Sequence, residues 1–354
     1  MSIRKHPLVT ILIALLFAVS ALGAYSPAST AGGLSVNLAV SQAAYTASQP
    51  VIVQVTISNT TGKNAKVLRW FTPAEDVEEA LFSVTRDGKP VAYLGAIYKR
   101  PAPSAADYVN LKPGESLTRS VDLASVYDLS AGGRYTIRFN VGSANLFSEK
   151  GGAAVDTLSS NEVTVTAAGR TSGPVLETIT PAAVTGTTSY NKCTTTQQSD
   201  AAKARAQASL YSADALSYLT ASKQGPRYVT WFGIFDSTRY ATVTTHFTKI
   251  SGAMDTAPVT IDCGCKKNYY AYVYPTKPYV IYVCKVFWTA PLTGTDSKAG
   301  TLIHEMSHFN VVASTNDYVY GQTNAKSLAI SNPNNAVNNA DNHEYFAENT
   351  PAQQ

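Results

Sequence analysis

The sequence predicts a two-domain protein, with an all-β immunoglobulin-like sandwich over residues 34–166 and a mostly helical α+β domain over residues 188–354. Three observations predict this division. Apolar residues alternate between turn signals in the first half, a segment rich in Gly, Thr, Ser and Pro follows, and Ala-rich helical spacing begins beyond it. With 354 residues, 45% of them hydrophobic and 15% charged, the chain is long and apolar enough for two cores.

Residues 1–23 have the pattern of a secretory signal peptide. A basic start precedes an apolar run from Leu8 to Leu22, and small residues suited to signal peptidase lie at its end. A permanent anchor usually needs about 20 apolar residues, so we expect export without a membrane anchor. The formal net charge of +4 is too small and too dispersed to indicate a nucleic-acid partner.

Residues 34–166 alternate in the manner of half-buried strands. The clearest stretches are LSVNLAV (34–40), VIVQVTI (51–57) and RYTIRFNV (134–141). Several short strands separated by turns over about 130 residues are typical of an immunoglobulin-like sandwich. No group of catalytic side chains is evident in this stretch, so we expect it to be a pro-region or an accessory domain.

Residues 167–187 are expected to form a linker, because Gly, Thr, Ser and Pro dominate them. Beyond the linker, Ser199 is a candidate cap for a long amphipathic helix whose apolar face would carry Ala206, Leu210, Ala213 and Leu216. The segment AYVYPTKPYVIYVC (271–284) predicts two strands with a turn between them.

A second helix is predicted to begin at Asp296 or Ser297 and to carry the sequence HEMSH. His304 and His308 stand one helical turn apart, so both imidazoles project from one face, as two ligands of a tetrahedral zinc ion must. Glu305 lies beside the first histidine, where a carboxylate can take a proton from a zinc-activated water. The spacing therefore predicts a metallopeptidase.

A third ligand is needed. The metzincin pattern would place glycine at 311 and histidine at 314, but the chain has Val311 and Ser314, which excludes that class. Glu344, Glu348 or His343 could reach the metal from a later helix.

The four cysteines, Cys193, Cys263, Cys265 and Cys284, all lie in the C-terminal half. An even number in an exported chain suggests two disulfides. Cys263 and Cys265 are too close in extended chain to bond easily to each other, which favours a distant partner for each.

The stretch STNDYVYG (314–321) resembles the aspzincin pattern of the deuterolysin family, with Ser314 in place of its leading glycine. By this resemblance the C-terminal half is a zincin-type catalytic domain that binds one zinc ion. The resemblance implies Asp317 as the third ligand beside His304 and His308. It also implies that Tyr320 donates its hydroxyl to the developing oxyanion.

From about Thr188 to Gln354 the chain further resembles the peptidyl-Lys metalloendopeptidase branch, through TSYNKC, RYVTWFG, TGTDSKAGTLIHE and NADNHEYFAEN. That branch implies an acidic S1′ pocket made by Asp341 and Glu344. Two carboxylates three residues apart on a helix share a face and can bind one ammonium group. The branch also implies the disulfides Cys193–Cys263 and Cys265–Cys284, whereas the spacing alone leaves the other connectivities open.

These features predict a secreted, monomeric zinc metalloendopeptidase that cuts protein and peptide substrates on the amino side of lysine, with lysine at P1′. Glu305 would be the general base and Tyr320 the oxyanion donor. The alternatives are a deuterolysin-type protease of broader specificity and an inactive adhesion or binding module. We expect the sandwich to be removed by cleavage near residues 185–190, and its persistence as a substrate-binding domain is the alternative.

Overall fold

The computed structural model describes residues 30–151, 155–170 and 186–354. The proposed signal peptide and most of the proposed linker lie outside the described residues. Within them, a β-rich N-terminal half and a helical C-terminal half each have a hydrophobic core of their own.

The N-terminal half is built on one long, irregular sheet. The strands of this half are β1 (Leu34–Val40), β2 (Ala44–Tyr45), β3 (Ile52–Asn59), β4 (Ala65–Leu68), β5 (Phe82–Arg86), β6 (Lys89–Pro90), β7 (Ile97–Lys99), β8 (Tyr108–Leu111), β9 (Ser116–Asp122), β10 (Gly133–Ser143) and β11 (Asp156–Ala167). The long sheet has the order β6-β5-β10-β11-β1-β3-β9, with β2 also paired with β11, while β4 and β8 form a separate two-stranded sheet.

The predicted alternation is present in the strands. Leu34, Val36 and Leu38 of β1 are each at most 2% exposed, so one face of the strand contributes to the core. β11 connects the two parts of the long sheet, because it pairs antiparallel with β10 and parallel with β1. The β-rich character of this half is confirmed, and its immunoglobulin-like arrangement stays a prediction.

The C-terminal half packs helices around a small sheet. Its elements are β12 (Thr188–Asn191), α1 (Thr195–Thr220), α2 (Pro226–Phe232), α3 (Ser237–Thr256), β13 (Val259–Asp262), β14 (Ala271–Val273), β15 (Val280–Val283), α4 (Lys285–Thr289), α5 (Lys298–His308), α6 (Gln322–Ser331), α7 (Pro333–Ala336) and α8 (Ala340–Glu348). The predicted pair of strands in residues 271–284 is present as β14 and β15. The predominance of helices in this half is also confirmed.

The small sheet joins the two halves of the chain. Its order is β12-β13-β15-β14-β7, and its outer strand β7 comes from the N-terminal half. β7 pairs antiparallel with β14, placing Tyr98 opposite Tyr272 and Lys99 opposite Ala271. Segment 34–166 therefore contributes three residues, as the outer strand β7, to the small sheet beside α5.

The sequence-based account of α1 was wrong in two respects. Its N-cap is Thr194, which forms a capping box with Gln197, rather than Ser199. The predicted apolar face also points the wrong way, because Leu210 is 61% exposed. The buried face instead carries small residues, among them Ala201, Ala204, Ala208 and Ala215. Small side chains allow α1 to pack closely against α3 and α5, and apolar periodicity does not distinguish such a face.

Helix α5 lies at the centre of the C-terminal half. Ser297 is its N-cap, with its side chain accepting a hydrogen bond from the Gly300 amide at 2.9 Å. Every residue from Ala299 to His308 is buried, and α1, α3, α8 and β14 surround the helix. The Glu348 carboxylate accepts hydrogen bonds from the Ser297 amide at 2.9 Å and its hydroxyl at 2.7 Å, so α8 holds the start of α5.

Candidate active site

The two histidines of α5 and an aspartate from the following loop converge on one point. His304, His308 and Asp317 each offer one atom, and these three atoms lie within 4.8 Å of one another. The Nε2 atoms of His304 and His308 lie 3.2 and 3.4 Å from the Asp317 carboxylate oxygens. Two imidazole nitrogens and one carboxylate oxygen are ligands that suit zinc.

The donor atoms are buried without hydrogen-bond partners. His304 Nε2, His308 Nε2 and Asp317 Oδ1 are all inaccessible and make no hydrogen bond within the described residues. Buried polar atoms without partners are costly, and a bound cation would satisfy all three. The residues therefore fit the zinc ion that the HEMSH motif predicts.

In each of the two histidines, a contact made by the Nδ1 atom orients the ring. His308 Nδ1 lies 2.9 Å from the Thr315 carbonyl oxygen, so Nδ1 donates and Nε2 keeps its lone pair for the metal. His304 Nδ1 lies 2.8 Å from Asp341 Oδ1. Asp341 thus contacts a metal-ligand candidate in addition to its predicted role in substrate binding.

The protein charges around the cluster shift its pKa values in opposite directions. Burial opposes ionisation of Asp317, but the neighbouring His304 and His308 outweigh it and hold the pKa of Asp317 below its usual range. Burial likewise disfavours the charged form of His304, yet the Asp317 carboxylate raises the pKa of His304 well above its usual value. The Asp317 carboxylate therefore lies between two imidazoles whose positive charge it stabilises. A divalent cation can supply that positive charge instead.

Glu305 is fully buried beside this cluster. Neither carboxylate oxygen has a hydrogen-bond partner within the described residues, and burial raises the pKa of Glu305 to about 7. A carboxylate with a pKa near the working pH can both accept and return a proton. Glu305 is not one of the three groups that converge as metal-ligand candidates, so its carboxylate is available to accept and return a proton.

Tyr320 follows Asp317 by three residues and points its hydroxyl back toward it. The hydroxyl lies 3.2 Å from Asp317 Oδ2 and donates to the Tyr98 carbonyl oxygen at 2.9 Å. Its ring packs edge-on against Trp70 of the N-terminal half, with 5.7 Å between ring centroids. Tyr320 is therefore positioned to donate to a peptide carbonyl beside the metal cluster.

The two carboxylates of the predicted S1′ pocket lie together around a lysine, and their role in binding substrate stays a prediction. Lys99 Nζ lies 2.5 Å from Glu344 Oε2, 3.4 Å from Asp341 Oδ1 and 3.7 Å from Asp296 Oδ1. Lys99 is 1% exposed. Burial opposes its charge, but the three carboxylates outweigh that effect and raise the pKa of Lys99 well above its usual range.

Three groups of this pocket were missed by sequence reasoning. Asp296 was considered only as a helix cap, and no motif indicated a role for Tyr270 or Tyr345. The Lys99 ammonium lies 5.0 Å from the Tyr270 ring centroid and 5.9 Å from that of Tyr345, and Asp296 accepts a hydrogen bond from the Tyr345 hydroxyl at 2.7 Å. Lys99 itself carried no motif that could have indicated this contact.

The other candidates for the third ligand lie elsewhere. Glu348 binds the N terminus of α5, as described above. His343 Nε2 lies 3.0 Å from His246 Nδ1, and His343 Nδ1 lies 2.9 Å from the Asn339 carbonyl oxygen. Glu344 faces Lys99 and the Nδ1 side of His304. Asp317 is the carboxylate that faces both Nε2 atoms.

The structure contains the disulfides Cys193–Cys263 and Cys265–Cys284. The first joins the residues after β12 and β13, and the second joins the segments that flank β14 and β15. The two disulfides therefore brace the sheet strands beside the pocket.

Comparisons with known proteins identify the family of this chain. Residues 217–348 match the aspzincin family model, described as lysine-specific metallo-endopeptidase. An extracellular protease of Aeromonas hydrophila is 47% identical over 312 residues, which cover 86% of this chain and 89% of that protein. The chain belongs to the aspzincin, or deuterolysin, family of zinc metallopeptidases.

Further relatives of this aspzincin come from a fungus. A peptidyl-Lys metalloendopeptidase of Grifola frondosa is 37% identical over 312 residues, covering 85% of this chain and 88% of that protein. A solved zinc peptidase from Grifola frondosa is 49% identical and covers 46% of this chain and all of that chain, with a TM-score of 0.44.

This aspzincin is accordingly a zinc metalloendopeptidase that acts on proteins or peptides. The assignment favours the enzyme over the adhesion-module alternative. Within the described ranges, no helix has both the length and the apolar character required to cross a membrane.

Proposed function

We propose that this aspzincin hydrolyses peptide bonds on the amino side of lysine. The observation that carries the proposal is the lysine already held in the acidic pocket, with its ammonium 2.5 Å from Glu344 and 3.4 Å from Asp341. A compact point charge suits a small pocket walled by carboxylates, whereas the broad fork of arginine needs more room. The names of the relatives support the same specificity.

One zinc ion per chain would be held by His304, His308 and Asp317. When bound, it would supply Lewis acidity toward the scissile carbonyl and the attacking water. Glu305 takes the proton from that water and later gives it to the leaving amine. Tyr320 donates its hydroxyl to the carbonyl oxygen as that oxygen gains negative charge. Asp341 and Glu344 hold the P1′ ammonium and thereby fix the bond to be cut.

A digest of one lysine-containing protein, read by mass spectrometry, tests the specificity. New N termini should begin with lysine in nearly every fragment. A spread of cleavages before uncharged residues would instead support the broader deuterolysin-type protease.

The remaining parts of the proposal concern the whole chain. We propose that residues 1–23 direct secretion, that residues 34–166 are a pro-region, that 167–187 is a linker and that 188–354 act as a monomer. The extracellular relative supports secretion. Terminal sequencing and light scattering of the protein from culture medium test these points, and a chain that begins near residue 24 with full activity would contradict removal of the pro-region.

A further inference from the structure

We propose that Asn339 is a positioning residue of the active site. Its side-chain amide holds the loop that carries Asp317 and Tyr320, and thereby determines how firmly the chain retains its zinc ion. The inference rests on the proposed role of Asp317 as the third zinc ligand, and it adds a residue that lies outside the metal cluster. Four features of the structure support it.

The first feature is the place of Asp317 in the chain. Helix α5 ends at His308 and α6 begins at Gln322, so Asp317 and Tyr320 lie on the loop 309–321 that connects these helices. The two histidines are fixed by the hydrogen bonds of their helix. A ligand on a loop is held less precisely, and its position depends on the groups that bind the loop backbone.

The second feature is the set of hydrogen bonds from Asn339 to this loop. Its Oδ1 atom accepts from the amides of Tyr318 at 2.8 Å and Val319 at 3.2 Å. Its Nδ2 atom donates to the Val319 carbonyl oxygen at 3.3 Å. Tyr318 and Val319 are the two residues between Asp317 and Tyr320. One side chain therefore binds three backbone groups between the candidate zinc ligand and the proposed oxyanion donor.

The third feature is a backbone bridge on the other side of Asp317. The Asn316 amide donates to the Asn338 carbonyl oxygen at 2.8 Å, and the Ala340 amide donates to the Asn316 carbonyl oxygen at 3.0 Å. This parallel bridge pairs Asn316 with Asn339. Contacts to the start of α8 thus hold the backbone on both sides of Asp317.

The fourth feature is the network behind Asn339, which is fully buried. Its Nδ2 atom also donates to Asn342 Oδ1 at 2.8 Å. The Asn342 side chain donates to the carbonyl oxygens of Trp231 at 2.5 Å and Ala325 at 3.0 Å, which ties α8 to α2 and α6. An ionised aspartate has the shape of asparagine but can only accept, so it would keep the bonds from the loop amides and lose those made by Nδ2.

Zinc affinity tests the inference in the enzyme recovered from culture medium, without relying on turnover. Competition with a chelator gives the zinc dissociation constant of the parent, Asn339→Ala and Asn339→Asp enzymes. Loss of a group that orients a metal ligand typically weakens metal binding by about 10- to 100-fold, and we expect a rise of that size in Asn339→Ala. Asn339→Asp should fall between Asn339→Ala and the parent.

Arg205→Met is the matched control. Arg205 is also a buried side chain that binds backbone groups, but its hydrogen bonds go to the carbonyl oxygens of Met254 and Ala257 at the end of α3. This control should lose stability in urea while its zinc dissociation constant stays within about threefold of the parent value, because the two sites are independent. An Asn339→Ala constant that also stays within this range overturns the inference.

Hydrogen exchange in the parent enzyme needs no substitution. If Asn339 holds the loop, the amides of Tyr318 and Val319 should stay protected after a chelator removes the zinc, with exchange rates that rise by less than about threefold. A rise of about tenfold or more would show that the metal holds the loop, and it would overturn the inference.

Asp317→Ala separates this inference from the proposed function on which it rests. If that enzyme binds zinc as tightly as the parent, Asp317 is not the third ligand, and both proposals fail. If it loses zinc while Asn339→Ala binds zinc as the parent does, only the positioning role of Asn339 fails.

Discussion

Replacing Glu344 by glutamine should weaken cleavage before lysine while leaving the metal in place. Glu344 Oε2 is the carboxylate oxygen closest to the bound ammonium, at 2.5 Å, and the side chain is fully buried. Glutamine keeps the shape and one carbonyl oxygen but removes the charge. Asp341 is a less clean choice, because it also lies 2.8 Å from His304 Nδ1 and accepts the Gly321 amide at 2.6 Å.

The magnitude follows from the composition of the pocket. Loss of one partner from a buried, hydrogen-bonded charge pair costs about 2–5 kcal/mol. Two carboxylates would remain within 3.7 Å of the ammonium, those of Asp341 and Asp296. The lower part of the range therefore applies. About 2–3 kcal/mol corresponds to a loss of roughly 30- to 160-fold in kcat/KM for a lysine substrate.

The assay compares two peptides that differ only at P1′, one with lysine and one with norleucine, using the active enzyme recovered from culture medium. Zinc content is measured in the same samples, because Glu344 also lies 3.3 Å from His304 Nδ1. Norleucine cleavage should change by less than about threefold. An equal loss for both peptides with zinc retained would show that Glu344 supports the fold instead of selecting lysine. That result would refute the reasoning.

Three further predictions concern the metal, the packing of α5 and acid stability. Glu305→Gln should retain one zinc per chain by elemental analysis while kcat falls by at least about 100-fold, and loss of zinc would contradict its assignment as a base that is not a ligand. Gly300→Ala should lower the free energy of unfolding by about 1–3 kcal/mol in urea titrations, because a Cβ there would collide with the carboxylate that holds the start of α5. The control Gly252→Ala, in α3 with open space around it, should be neutral or stabilising, and equal losses would refute the packing argument. Burial lowers the pKa of His246 to about 4 and that of His343 to about 3, from 6.5. The unfolded chain therefore takes up these protons first as the pH falls. Stability present above pH 6.5 should decline toward pH 4 by up to about 1.4 kcal/mol per pH unit for each histidine, and an unchanged pH slope in His246→Gln would contradict this account.

Local patterns in the sequence were enough to predict helix α5 and the strands β1, β3, β10, β14 and β15. The positions of His304, Glu305 and His308 follow from the pitch of one helix, and a cap such as Ser297 acts within three residues. The alternation in β1 likewise reports a backbone period of two. In such cases the chain geometry that relates the residues is contained within the motif itself.

The sequence-based predictions failed where neighbouring elements determine which face of a helix is buried or which group a side chain contacts. The buried face of α1 carries alanines because α3 and α5 approach closely, and nothing in the local period indicates which neighbours a helix will have. The sequence alone allowed His343, Glu344 or Glu348 to reach the metal. In the structure, His343 of α8 contacts His246, Glu344 contacts Lys99, and Glu348 contacts the start of α5.

The sequence by itself was enough to predict a zinc metalloendopeptidase, through a helical histidine pair with its glutamate and, by family resemblance, a following Asp-x-x-Tyr. Only the tertiary structure decided what occupies the lysine pocket. Lys99 and Asp341 are separated by 242 residues, and no sequence pattern distinguishes Lys99 from the other lysines of the β-rich half. The contact forms because β7 completes the edge of β14 and because the buried carboxylates of Asp341 and Glu344 need a cation. Both conditions exist only once the two halves of the chain have folded against each other.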